Sequence, residues 1–167
     1  SASFPVFEAL CRLLDQHQAA YRVVYHANAG KSEEVARIRG TEVGQGAKAL
    51  VCEITGGKTP ELAVLAVLPA DRRLDLKHLA ELMGGTKGRL ADPDTAFRRT
   101  GCKIGTLPPF SFSPELILVV DPELAERHDI IAFNAGRLDA SILLDSRDYL
   151  SISQPRLERI AQRDNRD

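Results

Sequence analysis

Two apolar runs separated by a glycine pair constrain this chain more than any other feature. Residues 47–54 read AKALVCEI and residues 61–68 read ELAVLAVL, with Gly56-Gly57-Lys58 between them. Each run has the length of a strand and falls well short of the roughly 18–20 apolar residues that cross a bilayer. A glycine break between two such runs predicts a β-hairpin.

The rest of the chain fills in around that hairpin. Val6, Leu10, Leu13 and Leu14 repeat at helical spacing, which predicts an amphipathic helix over 4–18. Tyr21 to His26 reads as a strand. Ser32 is placed to cap a second helix, with Glu33 and Glu34 in its first turn and Gly40 at its end. Asp75 caps a helix through Met83, and Asp92-Pro93 starts another that Gly101 stops. Residues 116–120 (LILVV), 130–133 and 141–144 read as further strands, and Asp121-Pro122 opens a short helix between the first two. The last dozen residues are polar and arginine-rich, so a tail is expected from about 155. Helices and strands alternate irregularly and one hairpin is antiparallel, which predicts an α/β (α+β) chain with a mixed sheet carrying helices. A length of 167 residues suits one domain over 1–167, at roughly 100–200 residues per domain.

Composition excludes several partners. There are 22 Lys+Arg against 23 Asp+Glu, a net charge of −1, so the surface as a whole is not a nucleic-acid-binding one. Aromatic residues are 5% and Trp is absent, which argues against an aromatic base-stacking platform. Cys11, Cys52 and Cys102 are far apart and odd in number, the pattern of reduced thiols in the cytoplasm. His17, His26, His78 and His128 are scattered without zinc-ligand spacing, so neither a metal nor another cofactor is expected. No basic stretch followed by an apolar run opens the sequence, so no secretion signal is expected, and no membrane partner.

Three segments remain that can carry chemistry. Lys48 starts an otherwise apolar strand after Gly44-Gln45-Gly46, and strand alternation puts it on one face with Leu50, Cys52 and Ile54. Two readings stand: a strand-end lysine that snorkels to water, or an ammonium held at a pocket wall to meet an anion. Gly105-x-x-x-Pro109 is a stiff loop whose backbone N–H groups can hold an oxygen, or simply a rigid connection. Asn134-Ala135-Gly136, with Asp139 and Ser141, is a polar turn between strands. His26, at a strand end, is the one histidine kept as a candidate. Gly30-Lys31-Ser32 lacks the upstream glycine of a phosphate loop, since Tyr25 stands there, and reads as a helix N-terminus.

These segments carry a family resemblance. RVVYHANAGKSEEVARIRGTEVGQGAKALVC (22–52), TGCKIGTLPPFSF (100–112) and IAFNAGRLDASILL (131–144) resemble the YbaK/prolyl-tRNA synthetase-associated editing domain family, nearest to its free-standing YeaK-type members. The resemblance runs in order from about residue 5 to 155. It implies a curled, barrel-like mixed sheet flanked by helices. It also implies a cytoplasmic trans-editing hydrolase that deacylates mischarged aminoacyl-tRNA and so protects translation fidelity. The family's lysine falls on Lys48, implicated in handling the tRNA 3′ end, and its glycine loop on Gly105, Thr106 and Pro109. Its Asn-Ala-Gly segment falls on Asn134, Ala135 and Gly136, followed by Asp139 and Ser141. The synthetase inserts carry a substrate-selecting histidine near this last segment. None stands here, because His128 comes too early, so the inserts' specificity rules do not transfer.

The implied partner is the acceptor end of an aminoacyl-tRNA, not DNA, with a synthetase left open as a second partner. Small polar groups at Thr106, Ser111, Asn134, Asp139 and Ser141 favour Ser and Thr esters, with Ala next. Arg98, Arg99 and Lys103 offer a modest phosphate contact or a solvated helix end. Two other readings stay open: a non-catalytic tRNA- or synthetase-binding module, and a small-molecule hydrolase or metabolite-binding protein on the same fold.

Overall fold

The hairpin sits at the centre of the larger of two sheets. In the computed structural model, which describes residues 3–58 and 60–163, β2 (Ala47–Thr55) pairs antiparallel with β3 (Leu62–Pro69), from Ala47 opposite Pro69 to Ile54 opposite Leu62. β3 has almost no alternation because both its faces are covered. Leu65 and Val67 pack into one apolar cluster with Val51, Phe133 and Tyr149, while Val64 and Ala66 pack into a second with Cys52, Ile54 and Leu79. Each fully buried leucine or valine here contributes about 1.5–3 kcal/mol.

Around the hairpin the sheet order is β4-β2-β3-β5-β8, with β4 (Lys87–Leu90) antiparallel to β2, and β5 (Leu116–Val120) parallel to both β3 and β8 (Arg156–Leu157). A smaller antiparallel sheet holds β1 (Tyr21–Tyr25), β7 (Ala140–Asp145) and β6 (Ile130–Asn134), in the order β1-β7-β6. The two sheets meet where Gly46, just before β2, bridges Ala132 of β6. The mixed α/β architecture with flanking helices is as expected, but the one curled sheet is resolved into two joined at that seam.

The helices are α1 (Pro5–Gln16), α2 (Ser32–Arg39), α3 (Leu76–Leu82), α4 (Pro93–Thr100), α5 (Glu123–Arg127) and α6 (Ser146–Ser153). Asp75 and Asp92 cap as their sequence context predicts, accepting from the N–H of His78 at 3.0 Å and of Thr95 at 2.8 Å. Ser32 does not cap α2. Lys31 occupies the cap position, and Ser32 is the first helical residue, with its side chain released to another use. The segment expected as a tail is instead docked over its first residues. Arg156–Leu157 form β8, Ile160 is fully buried, and the Asp121 carboxylate accepts from the N–H groups of Ile160 and Ala161 at 3.0 Å. Residues 164–167 of that segment lie outside the described residues. No helix among the described residues is long and apolar enough to cross a membrane.

Candidate active site

α2 turns one face to the seam between the sheets. Ser32, Val35 and Arg39 are spaced by three and then four residues, which stacks them on one side of a helix, and all three line a cleft of about 230 Å³. The start of β2 adds Lys48, the loop after α4 adds Gly105, and the end of β6 adds Asn134. Among the described residues that line this cleft there is no carboxylate and no imidazole.

Asn134 ties the walls together. Its amide nitrogen donates to the carbonyls of Ala29 at 3.1 Å and Gly105 at 2.6 Å. Its oxygen therefore faces the other way and accepts from Nη2 of Arg39 at 3.0 Å. Nε of Arg39 donates to the Ser141 hydroxyl oxygen at 2.8 Å, and that hydroxyl lies 3.2 Å from the Asn134 oxygen. His26 backs the group. Its Nδ1 lies 2.8 Å from the Ala27 carbonyl, which can only accept, so Nδ1 carries the proton; in the neutral ring Nε2 then accepts from Ser141 at 2.8 Å. Ser141 is fully buried and Asn134 nearly so, and leaving any such group unpaired costs about 1–3 kcal/mol. The network thus fixes one arrangement of α2, β6, β7 and the Gly105 loop.

The loop takes its turn at this glycine. Gly105 has φ +82°, a conformation that costs glycine little, and a Cβ there would come within 3.6 Å of the Gly30 Cα.

The remaining residues named from sequence divide by position. Lys48 is half-buried, and its ammonium donates to the Arg72 carbonyl; burial lowers its pKa. Leu50, Cys52 and Ile54, the residues alternation groups with it, enter the second cluster. Thr106, Pro109, Ala135 and Gly136, expected to touch substrate, do not line the cleft but brace what does. The Thr106 hydroxyl donates to the Lys103 carbonyl at 2.7 Å, and its own carbonyl accepts from the Gly136 N–H at 2.8 Å. The Pro109 carbonyl accepts from the buried Tyr149 hydroxyl at 2.7 Å, and Ala135 is in the apolar core. Asp139 lies outside the cleft and pairs with Arg137, whose guanidinium holds its carboxyl below the usual range. The Ser111 hydroxyl is spent on the Leu116 carbonyl. Arg98 and Arg99 border a separate shallow depression with Thr95 and Ser113.

Comparison with known proteins decides the family. Residues 26–152 match the aminoacyl-tRNA editing domain. The chain belongs to that family. It is 52% identical to the multifunctional Ser/Thr-tRNA deacylase ProXp-y of Escherichia coli, over 90% of this chain and 89% of that one. It is 27% identical to a candidate Cys-tRNA(Pro)/Cys-tRNA(Cys) deacylase, EbsC of Enterococcus faecalis, over 92% of each. A solved structure of a candidate trans-editing enzyme for prolyl tRNA synthetase superposes with a TM-score of 0.79 at 24% identity, covering 98% of this chain and all of that one, which shows the shared fold.

As an editing domain the chain is an aminoacyl-tRNA deacylase, and its substrate is mischarged aminoacyl-tRNA. The cleft is smaller than the roughly 300–1,000 Å³ of pockets that enclose drug-sized ligands.

One residue of the editing site was not read from the sequence. Arg39 is half-buried in the cleft wall, and burial lowers its pKa to about 10 with no nearby carboxylate to raise it. The signal was there in the spacing Ser32, Val35, Arg39. It was masked by Arg37, which falls on the solvent face of the same short, charged helix.

Proposed function

We propose that this chain releases serine and threonine from tRNAs to which they have been wrongly attached, acting in trans at the acceptor end, with alanine esters cleaved next best. The observation that carries this reading is the wall of the cleft: two cations, Arg39 and Lys48, an oriented amide at Asn134, a hydroxyl at Ser32, and no carboxylate among the described residues. Such a site is built for a substrate that gains negative charge. The identity to a Ser/Thr-tRNA deacylase supports the amino-acid class.

An aminoacyl ester is already activated, so the protein has to position it rather than supply a nucleophile. Water attacks the ester carbon, the carbonyl electrons move onto oxygen, and the resulting oxyanion collapses with cleavage of the bond to the ribose oxygen. The neighbouring ribose hydroxyl relays the proton shed by water to that leaving oxygen, and the free amino acid and intact tRNA depart. Lys48 spends one N–H on the Arg72 carbonyl and keeps the others for an oxygen of the tRNA 3′ end at the rim. Asn134 holds the Gly105 loop, whose backbone closes over the ester. The hydroxyl selectivity rests on Ser32, since Thr106, Ser111 and Asp139 do not line the cleft and the Asn134 amide is spent on Ala29, Gly105 and Arg39.

The test is a panel of charged tRNAs bearing Ser, Thr, Ala, Cys, Pro and Val. Ser and Thr esters should be cleaved first and Pro and Val last. Release of no amino acid from any member would leave a binding module instead, and preference for a bulky apolar ester would overturn the selectivity.

A further inference from the structure

Arg39 is spent only in part by the fold. A guanidinium carries five N–H groups. One, on Nε, goes to Ser141 and one, on Nη2, to Asn134. Nη1 makes no hydrogen bond to protein among the described residues and lies toward Gly46, where a side chain would begin within 4.0 Å of it. Both partners are neutral, and no salt bridge among the described residues includes Arg39. A half-buried guanidinium without a counter-charge is costly, and this one is held by hydrogen bonds to two buried side chains, Ser141 and Asn134.

Two anionic groups of the substrate compete for those unspent donors: the terminal phosphodiester and the ester oxygen as it becomes tetrahedral. Position separates them. Arg39 is held by the buried Ser141 and Asn134, while the Lys48 ammonium stands at the start of β2 beside the Arg72 carbonyl, so the ester is matched to Arg39 and the phosphodiester to Lys48. Resting on the deacylase reading above, we propose that Arg39 is a catalytic residue of the cleft, donating from its free edge to the oxyanion that forms on the ester carbonyl during hydrolysis. Ser141, Asn134 and His26 then act as positioning residues that hold the guanidinium plane before substrate arrives. Donors fixed in advance are the ones that stabilise developing charge without reorganising.

The test is single-turnover and steady-state deacylation by R39A and R39K with Ser-, Thr- and Ala-tRNA, alongside thermal unfolding of each variant. R39A should lose about 10²–10³ in kcat, by a similar factor on all three esters, with KM little changed. Added guanidinium ion should restore R39A in part and leave the parent protein unaffected. R39K keeps the charge but not the planar fork and should fall between the two. Loss confined to the hydroxyl-bearing esters would make Arg39 a reader of the amino-acid side chain and overturn the oxyanion role. So would a kcat close to that of the parent, or a loss in both folded variants that guanidinium does not touch. If the parent protein itself releases no amino acid, the deacylase reading has failed, an outcome distinct from all of these.

Discussion

The turn at Val43–Gln45 runs between two arginines that the fold treats in opposite ways. On one side Arg127 is surrounded by acid. It donates to Asp71 through both terminal nitrogens, at 2.8 and 2.7 Å, and lies 3.5 Å from Glu123, which also pairs with Arg72 at 2.8 Å. Gly44 permits this, because a Cβ there would collide with Arg127 and Asp71. On the other side, past Gly46, Arg39 meets only an amide and a hydroxyl. Arg127 is a compensated charge whose work is to hold residues 71–72, and through the Arg72 carbonyl the ammonium of Lys48. Arg39 is left uncompensated, and the missing partner is supplied by the reaction. Charge balance and burial together separate the two arginines: Arg127 is exposed and paired, Arg39 half-buried and unpaired among the described residues.

Substitutions can break that contrast in order of effect. The largest loss is expected from Lys48→Ala, about 10²–10³ in deacylation, without loss of fold because the side chain borders a cleft. If KM rises and kcat holds, Lys48 binds the tRNA end; if kcat falls at saturation, it acts on the ester. A folded variant of parental rate would remove Lys48 from the site. Next comes Asn134→Ala, which strands two carbonyls and one guanidinium donor. It should cost about 1–3 kcal/mol of stability per unpaired buried group and most of the activity, and a melting temperature equal to the parent's would refute the network. Arg127→Met should be mild: about 0.2–1 kcal/mol, as for a partly exposed pair, with kcat close to parental. A loss as deep as that of R39A would erase the distinction between the arginines.

The smallest effect is in acid. Arg127 holds the Asp71 carboxyl below its usual 3.8. A depressed carboxyl contributes stability that is present above that value and lost as pH falls through the lower, folded one. Denaturant midpoints should therefore decline below about pH 4, and Asp71→Asn should flatten part of that decline. An unchanged acid limb in D71N would show that the pair is not formed in solution.

How much of this could be read from sequence depended on whether the chain itself carries the cause. The hairpin was legible because its apolar runs and glycines are local. Lys48, Gly105 and Asn134 were legible because a charge, a turn glycine and an amide stand out in apolar or rigid surroundings. β4 and β8 were not, since Lys87–Leu90 and Arg156–Leu157 have no alternation of their own and are strands only because β2 and β5 offer them a free edge. α6 was missed because Asp145 ends β7 and caps the helix in the same residue, accepting from Arg147 and Asp148. The bracing by Thr106 and Pro109 was not legible, because their partners, the Lys103 carbonyl and the Tyr149 hydroxyl, are fixed by the loop's path and by a helix 40 residues on.

The seam at Gly46 and Ala132 has a thermal consequence. The cleft lies where two separately hydrogen-bonded sheets share one backbone bridge, yet their facing sides are packed into one core through Val51, Leu65, Val67, Phe133 and Ile142. Parting the sheets uncovers that shared core, and the opening of core strands approaches the free energy of global unfolding. Heat should therefore abolish deacylation and unfold the protein in one transition, and the amides of β6 should exchange with solvent no earlier than those of β3.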